Sequence, residues 1–141
     1  MKPATQLWLE KAEADYLGAL DLRRARRPSN RELVCYHCQQ AVEKYLKTRL
    51  IEAGIAFPKT HDLRLLLKLV EPVEPLWLSL ADPLAVLSAY AVELRYPGRI
   101  SSVVEVRDAV RTTERMRRMV LERLGGDLPS SHPRPRKPRK P

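Results

Sequence analysis

Tyr36-His37-Cys38-Gln39-Gln40-Ala41-Val42-Glu43-Lys44-Tyr45-Leu46-Lys47 lies inside a stretch, Ser29 to Ala53, that contains neither proline nor glycine. Val34, Cys38, Ala41, Tyr45 and Leu46 recur there at helical spacing and mark one apolar stripe. Ser29 and Glu32 have capping-box spacing, which predicts a helix start at Ser29 or Asn30. Gly54 predicts its C-terminal stop. A helix this long with a strongly apolar face must bury that face against other elements.

Working outward, the apolar periodicity predicts four more helical segments and no strand. Leu7, Trp8, Ala12, Tyr16, Ala19, Leu20 and Leu22 repeat at helical spacing from about Thr5 to Arg26. Pro28 closes that helix, because the residue before a proline is biased away from the helical region. Leu63, Leu66, Leu67 and Val70 predict a short helix from His61 to Val70, with Thr60 as its cap. Glu71 to Ala81 carries two prolines and Trp77 and reads as a turn with room for a short helix. Asp82 followed by Pro83 predicts the start of a fourth helix, ending at Pro97-Gly98. Ser102 and Glu105 form a second capping-box pair. Val106, Ala109, Val110, Thr113, Met116, Val120 and Leu124 then make the stripe of a last helix, stopped by Gly125-Gly126. Long first, second and last helices with short connections predict an all-α, antiparallel four- to five-helix bundle.

The chain has 141 residues, which suits one domain. From Pro129 to Pro141 there are five prolines and five Lys/Arg, with no acid and no aliphatic side chain. Such a segment cannot bury enough apolar surface to offset the entropy of ordering it. The expected organisation is therefore a helical bundle over residues 1–128 and a disordered Pro/Arg/Lys-rich tail over 129–141. The formal charge is +9, and the tail carries five of those charges. The remainder sets 21 Lys/Arg against 17 Asp/Glu, a mild excess of +4. Electrostatic attraction to a polyanion thus rests on the tail and on the local cluster Arg23, Arg24, Arg26 and Arg27.

Cys35 and Cys38 stand three apart in the central helix, where a disulfide would strain the backbone, so a reduced thiol pair is expected. With His37 and His61 they do not make a zinc pattern, because a Cys-x-x-Cys on a regular helix lacks the usual knuckle and no second pair follows at finger spacing. No metal or other cofactor is expected. There is no Gly-rich phosphate loop and no Gly-x-Ser-x-Gly elbow. No apolar run approaches a transmembrane span, and the N-terminus has no signal-peptide h-region, so a cytoplasmic protein without membrane attachment is expected.

Two adjacent glutamines beside a histidine are not demanded by amphipathicity. The run from Tyr36 to Lys47 resembles the HEPN family, whose bacterial members carry a similar aromatic-His-x-Gln-Gln-Ala-x-Glu-Lys-x-Leu-Lys stretch. The likeness continues at Lys59-Thr60-His61-Asp62-Leu63 and at Tyr90-Ala91-Val92-Glu93-Leu94-Arg95-Tyr96-Pro97. The resemblance implies a HEPN-like bundle, usually a homodimer, that pairs with a small nucleotidyltransferase-fold protein, in some cases as a toxin–antitoxin system. It also implies binding of nucleotide or RNA. Within the matching runs Gln40, Lys44, His61 and Tyr96 are the residues assigned to that contact.

Some members of the family are metal-independent RNases with an Arg followed by four to six residues and a His. Arg31 and His37 have that spacing. Metal-free RNA cleavage needs a base for the 2′-hydroxyl, an acid for the leaving 5′-oxygen and a cation for the developing phosphorane charge; a His titrating near neutrality suits acid or base, and an Arg the cation. Arg31 and His37 sit about two-thirds of a turn apart on one helix. Arg95 reaching His37 from another helix is therefore the preferred constellation, in a cleft shared by two protomers. Two readings follow: a binding module for nucleotide or RNA that docks a nucleotidyltransferase, and an RNase using His37 with Arg95 or Arg31. Each residue also has a plain structural role open to it. His37 fits a helix-edge hydrogen bond, His61 a helix cap, Arg95 a helix C-cap, and Glu43 with Lys47 a surface ion pair.

Overall fold

The computed structural model of the protein describes residues 1–93, 98 and 100–125. In order it contains α1 (Pro3–Arg24), a 3-10 turn (Pro28–Asn30), α2 (Arg31–Ala53) and α3 (Leu63–Val70). A 3-10 segment (Pro75–Leu80), α4 (Ala81–Ser88), α5 (Tyr90–Glu93) and α6 (Val103–Arg123) follow. No strand occurs among the described residues. The tail from 129 to 141 and the segment Leu94 to Pro97 lie outside them.

Cross-helix bonds give the directions. Thr5 Oγ1 donates to Glu52 at 2.7 Å, Tyr45 donates to Glu13, and Asn30 reaches the Leu22 carbonyl, so α1 and α2 are antiparallel. Arg117 donates to Glu13 and Tyr16 to Glu114, so α6 is also antiparallel to α1. The short elements α3 to α5 return the chain to its starting end, and α6 therefore runs alongside α2 in the same direction. The most extensive packing is α1 on α2, then α6 on α2, with α3 on a further side of α2.

That central position explains the core. Besides the predicted stripe of Val34, Cys38, Ala41, Tyr45 and Leu46, α2 buries Cys35, Val42 and Leu50, because three helices cover it. Burying a large aliphatic side chain is worth about 1.5–3 kcal/mol, so Leu9, Leu46, Leu50, Leu66 and Leu84, all inaccessible, are principal contributors. On α1 the inward row is Leu9, Ala12, Tyr16 and Ala19; Leu7 faces solvent. The stripes of α3 and α6 are buried as expected, apart from Leu124, which is half-buried, and Leu121 joins them.

The caps differ in instructive ways. Ser102 and Glu105 make a complete capping box at the start of α6. Ser29 and Glu32 do not: a 3-10 turn occupies Pro28–Asn30, and Glu32 instead accepts from Ser101 at 2.7 Å, tying α2 to the entry of α6. Asp62, not Thr60, caps α3 by accepting from the amides of Arg64 and Leu65. Asp82 lies one residue inside α4, whose N-cap is Leu80. Gly54 stops α2 in the left-handed region, at φ 75°.

Candidate nucleotide or RNA site

His37 sits on the outward edge of α2, over the seam with α1. Its Nδ1 lies 3.0 Å from Asp15 Oδ1. An ionised carboxylate only accepts, so Nδ1 carries the proton and Nε2 is the nitrogen left for a ligand. Asp15 Oδ2 accepts from Lys44. The three side chains form one row, with Asp15 15 % exposed and His37 33 % exposed, enough for a ligand to reach the imidazole. Asp15 is the residue that motif matching leaves out. Its signal is its place in α1: it stands seven residues after Trp8 and seven before Leu22, on a predominantly apolar face.

One helix face round, Gln39, Glu43 and Lys47 are buried. Glu43 accepts from Lys47 at 2.9 Å and from Gln39 at 3.3 Å, and it holds His61 Nδ1 at 2.8 Å. Gln39 also donates to the His61 carbonyl, and Gln40 to Gln39. The Lys47 ammonium lies 5.5 Å from the Trp8 ring centroid and 5.6 Å from that of Phe57, within cation–π range. Glu43 and Lys47 thus form an interior pair rather than a surface one. A buried ion pair persists only when its remaining hydrogen-bonding capacity is met, and here Gln39 and His61 meet that of Glu43 while the two rings cover Lys47. The most family-specific stretch of α2 is therefore largely occupied in joining α2 to α1 and to the loop before α3.

The other site candidates fall in separate places. Lys44 is engaged by Asp15, and Gln40 by Gln39. His61 remains 66 % exposed beyond its bond to Glu43. Arg31 opens α2 and lines a cleft with the arginines at the end of α1; it is not brought to His37. Arg95 and Tyr96 lie outside the described residues.

Cys35 and Cys38 are free and buried. Burial pushes the Cys35 thiol up to about 11 and the Cys38 thiol up to about 12, so both are protonated and unreactive near neutrality. Among the described residues no group of three or more His, Cys, Asp or Glu is arranged to hold a metal ion, and no helix is long and apolar enough to cross a membrane.

Among the described residues the central helix carries an aromatic-His-x-Gln-Gln run, and His37 and His61 are each held by a carboxylate. The family model described as "HEPN domain" matches residues 5–124, and the chain belongs to the HEPN family. No curated protein and no solved structure matches at a significant level.

Proposed function

We propose that this HEPN protein is a helical module that binds nucleotide or RNA at the outward face of α2 and works as a homodimer with a nucleotidyltransferase-type partner, in the manner of a toxin–antitoxin pair. The observation that carries the binding reading is the Asp15–His37 pair: an accessible imidazole whose Nδ1 proton is fixed toward a carboxylate. Protonated, such a ring donates from Nε2 to a phosphate oxygen; neutral, it accepts from a ribose hydroxyl. His61, exposed in the loop before α3 and held by Glu43, adds a second imidazole one helix face round from His37. Titration of the purified protein with ATP and with a short unstructured RNA tests this. His37→Ala is expected to weaken binding by about tenfold, equivalent to about 1.4 kcal/mol. Equal affinity of wild type and His37→Ala ends the reading. Co-purification with a nucleotidyltransferase encoded beside it tests the partnership.

The same pair favours one second reading, a metal-independent RNase. Asp15 would hold His37 in the tautomer whose Nε2 takes the proton from a 2′-hydroxyl as that oxygen attacks the adjacent phosphorus; the P–O5′ bond then breaks, and the 5′-oxygen leaves with the proton returned by the imidazolium, giving a 2′,3′-cyclic phosphate and a 5′-hydroxyl. The cation for the phosphorane would be Arg95 or Arg31, supplied across a homodimer cleft. RNA cleavage in EDTA, abolished in His37→Ala and reduced in Asp15→Asn, is the required result; RNA left intact by wild type at every concentration removes it.

A further inference from the structure

Away from His37, the end of α1, the start of α2 and the start of α6 enclose a cleft of about 660 Å³. Five arginines line it: Arg23, Arg24, Arg26, Arg27 and Arg31. Among the described residues no carboxylate does. Arg24 bonds Asp21 at 3.2 Å, an exposed pair, and Glu32 beside Arg31 is turned to Ser101. Among the described residues the other four guanidiniums have no acidic partner. Between them the floor is aliphatic, with Leu20, Val34 and Val106.

Local physics does not account for this gathering. The carbonyl end of α1 favours a cation or two, which covers Arg23 and Arg24. Arg31 is at the opposite kind of end, the N-terminus of α2, where the helix dipole disfavours a positive charge. Arg26 adopts φ 56°, a left-handed conformation that glycine reaches without the strain a side chain incurs. Mutual repulsion among the five adds a further cost. An anion in the cleft removes that repulsion and satisfies the dipole, and a volume of this size is that of an ordinary ligand site.

The geometry points to the arginine cleft as a binding site for closely spaced phosphates, separate from the His37 face. Guanidinium groups bind phosphate oxygens in paired, charge-assisted hydrogen bonds. Among the described residues no aromatic ring lines the cleft to stack a base, so those present recognise phosphates and not sequence. A nucleoside polyphosphate and an RNA backbone both present such a run, and the test distinguishes them.

Three probes are titrated into the full-length chain at about 50 and 200 mM salt: inorganic triphosphate, ATP and an unstructured RNA of about 20 nucleotides. To remove background from the C-terminal tail, the five Lys/Arg between Arg134 and Lys140 are replaced by serine in every sample. The variants are Arg23→Glu/Arg27→Glu, Arg23→Lys/Arg27→Lys and His37→Ala. Arg23 and Arg27 are exposed, so neither double variant disturbs packing. The glutamate variant is expected to bind at least about tenfold more weakly, with the log–log salt slope for RNA shallower by about 1.4, from two contacts at about 0.7 each. The lysine variant keeps most of the slope. Triphosphate and ATP binding as well as RNA assigns the cleft to free polyphosphates; RNA alone assigns it to a nucleic-acid backbone. Failure of all three probes to bind, or wild-type binding by the glutamate variant, overturns the site. If His37→Ala loses RNA and the glutamate variant does not, the α2-face reading stands and the cleft falls; the reverse outcome keeps the cleft and removes His37.

Discussion

Arg117 and Arg27 are the same residue type in two regions that treat charge oppositely. Arg117, on α6, donates to both oxygens of Glu13 at 2.7 and 2.9 Å and stacks its guanidinium 5.0 Å from the Tyr16 ring centroid. Glu13 is buried, and Tyr45 also donates to it. The bond to Glu13 holds the Arg117 guanidinium above its usual pKa, against the opposing effect of burial. Arg27 is exposed, has no acidic partner among the described residues and shares its cleft with four other arginines. The lesson is that charge answered inside the bundle is architecture, whereas charge gathered and unanswered at its end is available for work.

The comparison breaks first at Glu13. Glu13→Ala deprives Arg117 and Tyr45 of their common acceptor, and removing one partner of a buried pair costs about 3–5 kcal/mol. Urea unfolding is expected to show a loss of that size; a loss under about 1 kcal/mol would mean that the pair is not structural. Glu43→Gln comes next, with an expected loss of about 2 kcal/mol from the interior bond to Lys47, because glutamine keeps the volume but not the charge.

Alkaline pH sharpens the same contrast. Cys35 and Cys38 titrate in the folded chain at about 11 and about 12, and burial also drives the Tyr45 hydroxyl upward. In the unfolded chain thiols ionise from about pH 8.5 and phenols from about pH 10. The unfolded state therefore releases protons first, and stability, complete below about pH 8, falls as pH rises toward the folded values. Denaturant melts from pH 8 to 11 check this, and Cys35→Ala/Cys38→Ala should flatten the decline. Flat stability across that range in wild type would contradict the burial of these groups.

The smallest expected effect has the most diagnostic sign. Arg27→Gln should raise the melting temperature slightly, by no more than about 0.5 kcal/mol of stability, because it relieves repulsion without removing a bond. Added triphosphate should raise the melting temperature of wild type more than that of the variant. If Arg27→Gln lowers stability instead, the arginine has a structural partner and the two regions are alike.

Much of the bundle is legible along the chain, and the failures share a cause. The stripes of α3 and α6 were readable because most of their charged residues face solvent, Arg117 being an exception, so periodicity and burial largely coincide. α2 was only half readable: Gln39, Glu43 and Lys47 are polar yet buried, because they bond one another and because α1 supplies Trp8 and the loop before α3 supplies Phe57 and His61. On α1, Leu7 belongs to the apolar period but faces out while Glu13 faces in, drawn by Arg117 from a helix about 100 residues later. Asp15 escaped for a similar reason, since nothing near it in sequence says that His37 will sit above it. The Ser29 and Glu32 capping box was a fair expectation that lost to a competing acceptor role, with Glu32 serving Ser101.

By itself the amino-acid order determined the long helices α1, α2 and α6, the cap at Ser102, the reduced thiols and the family run from Tyr36 to Lys47, since each depends on neighbours within a turn or two of backbone, whereas the single helix expected from Asp82 is divided into α4 and α5. Tertiary structure alone decided which charges are neutralised: Asp15 holding His37, Glu13 answering Arg117, and Val106 of α6 closing a floor beneath five arginines. The physical reason is distance. Ion pairing and desolvation act over a few ångströms of space and take no account of separation along the chain, so only the packed bundle sorts structural charge from free charge.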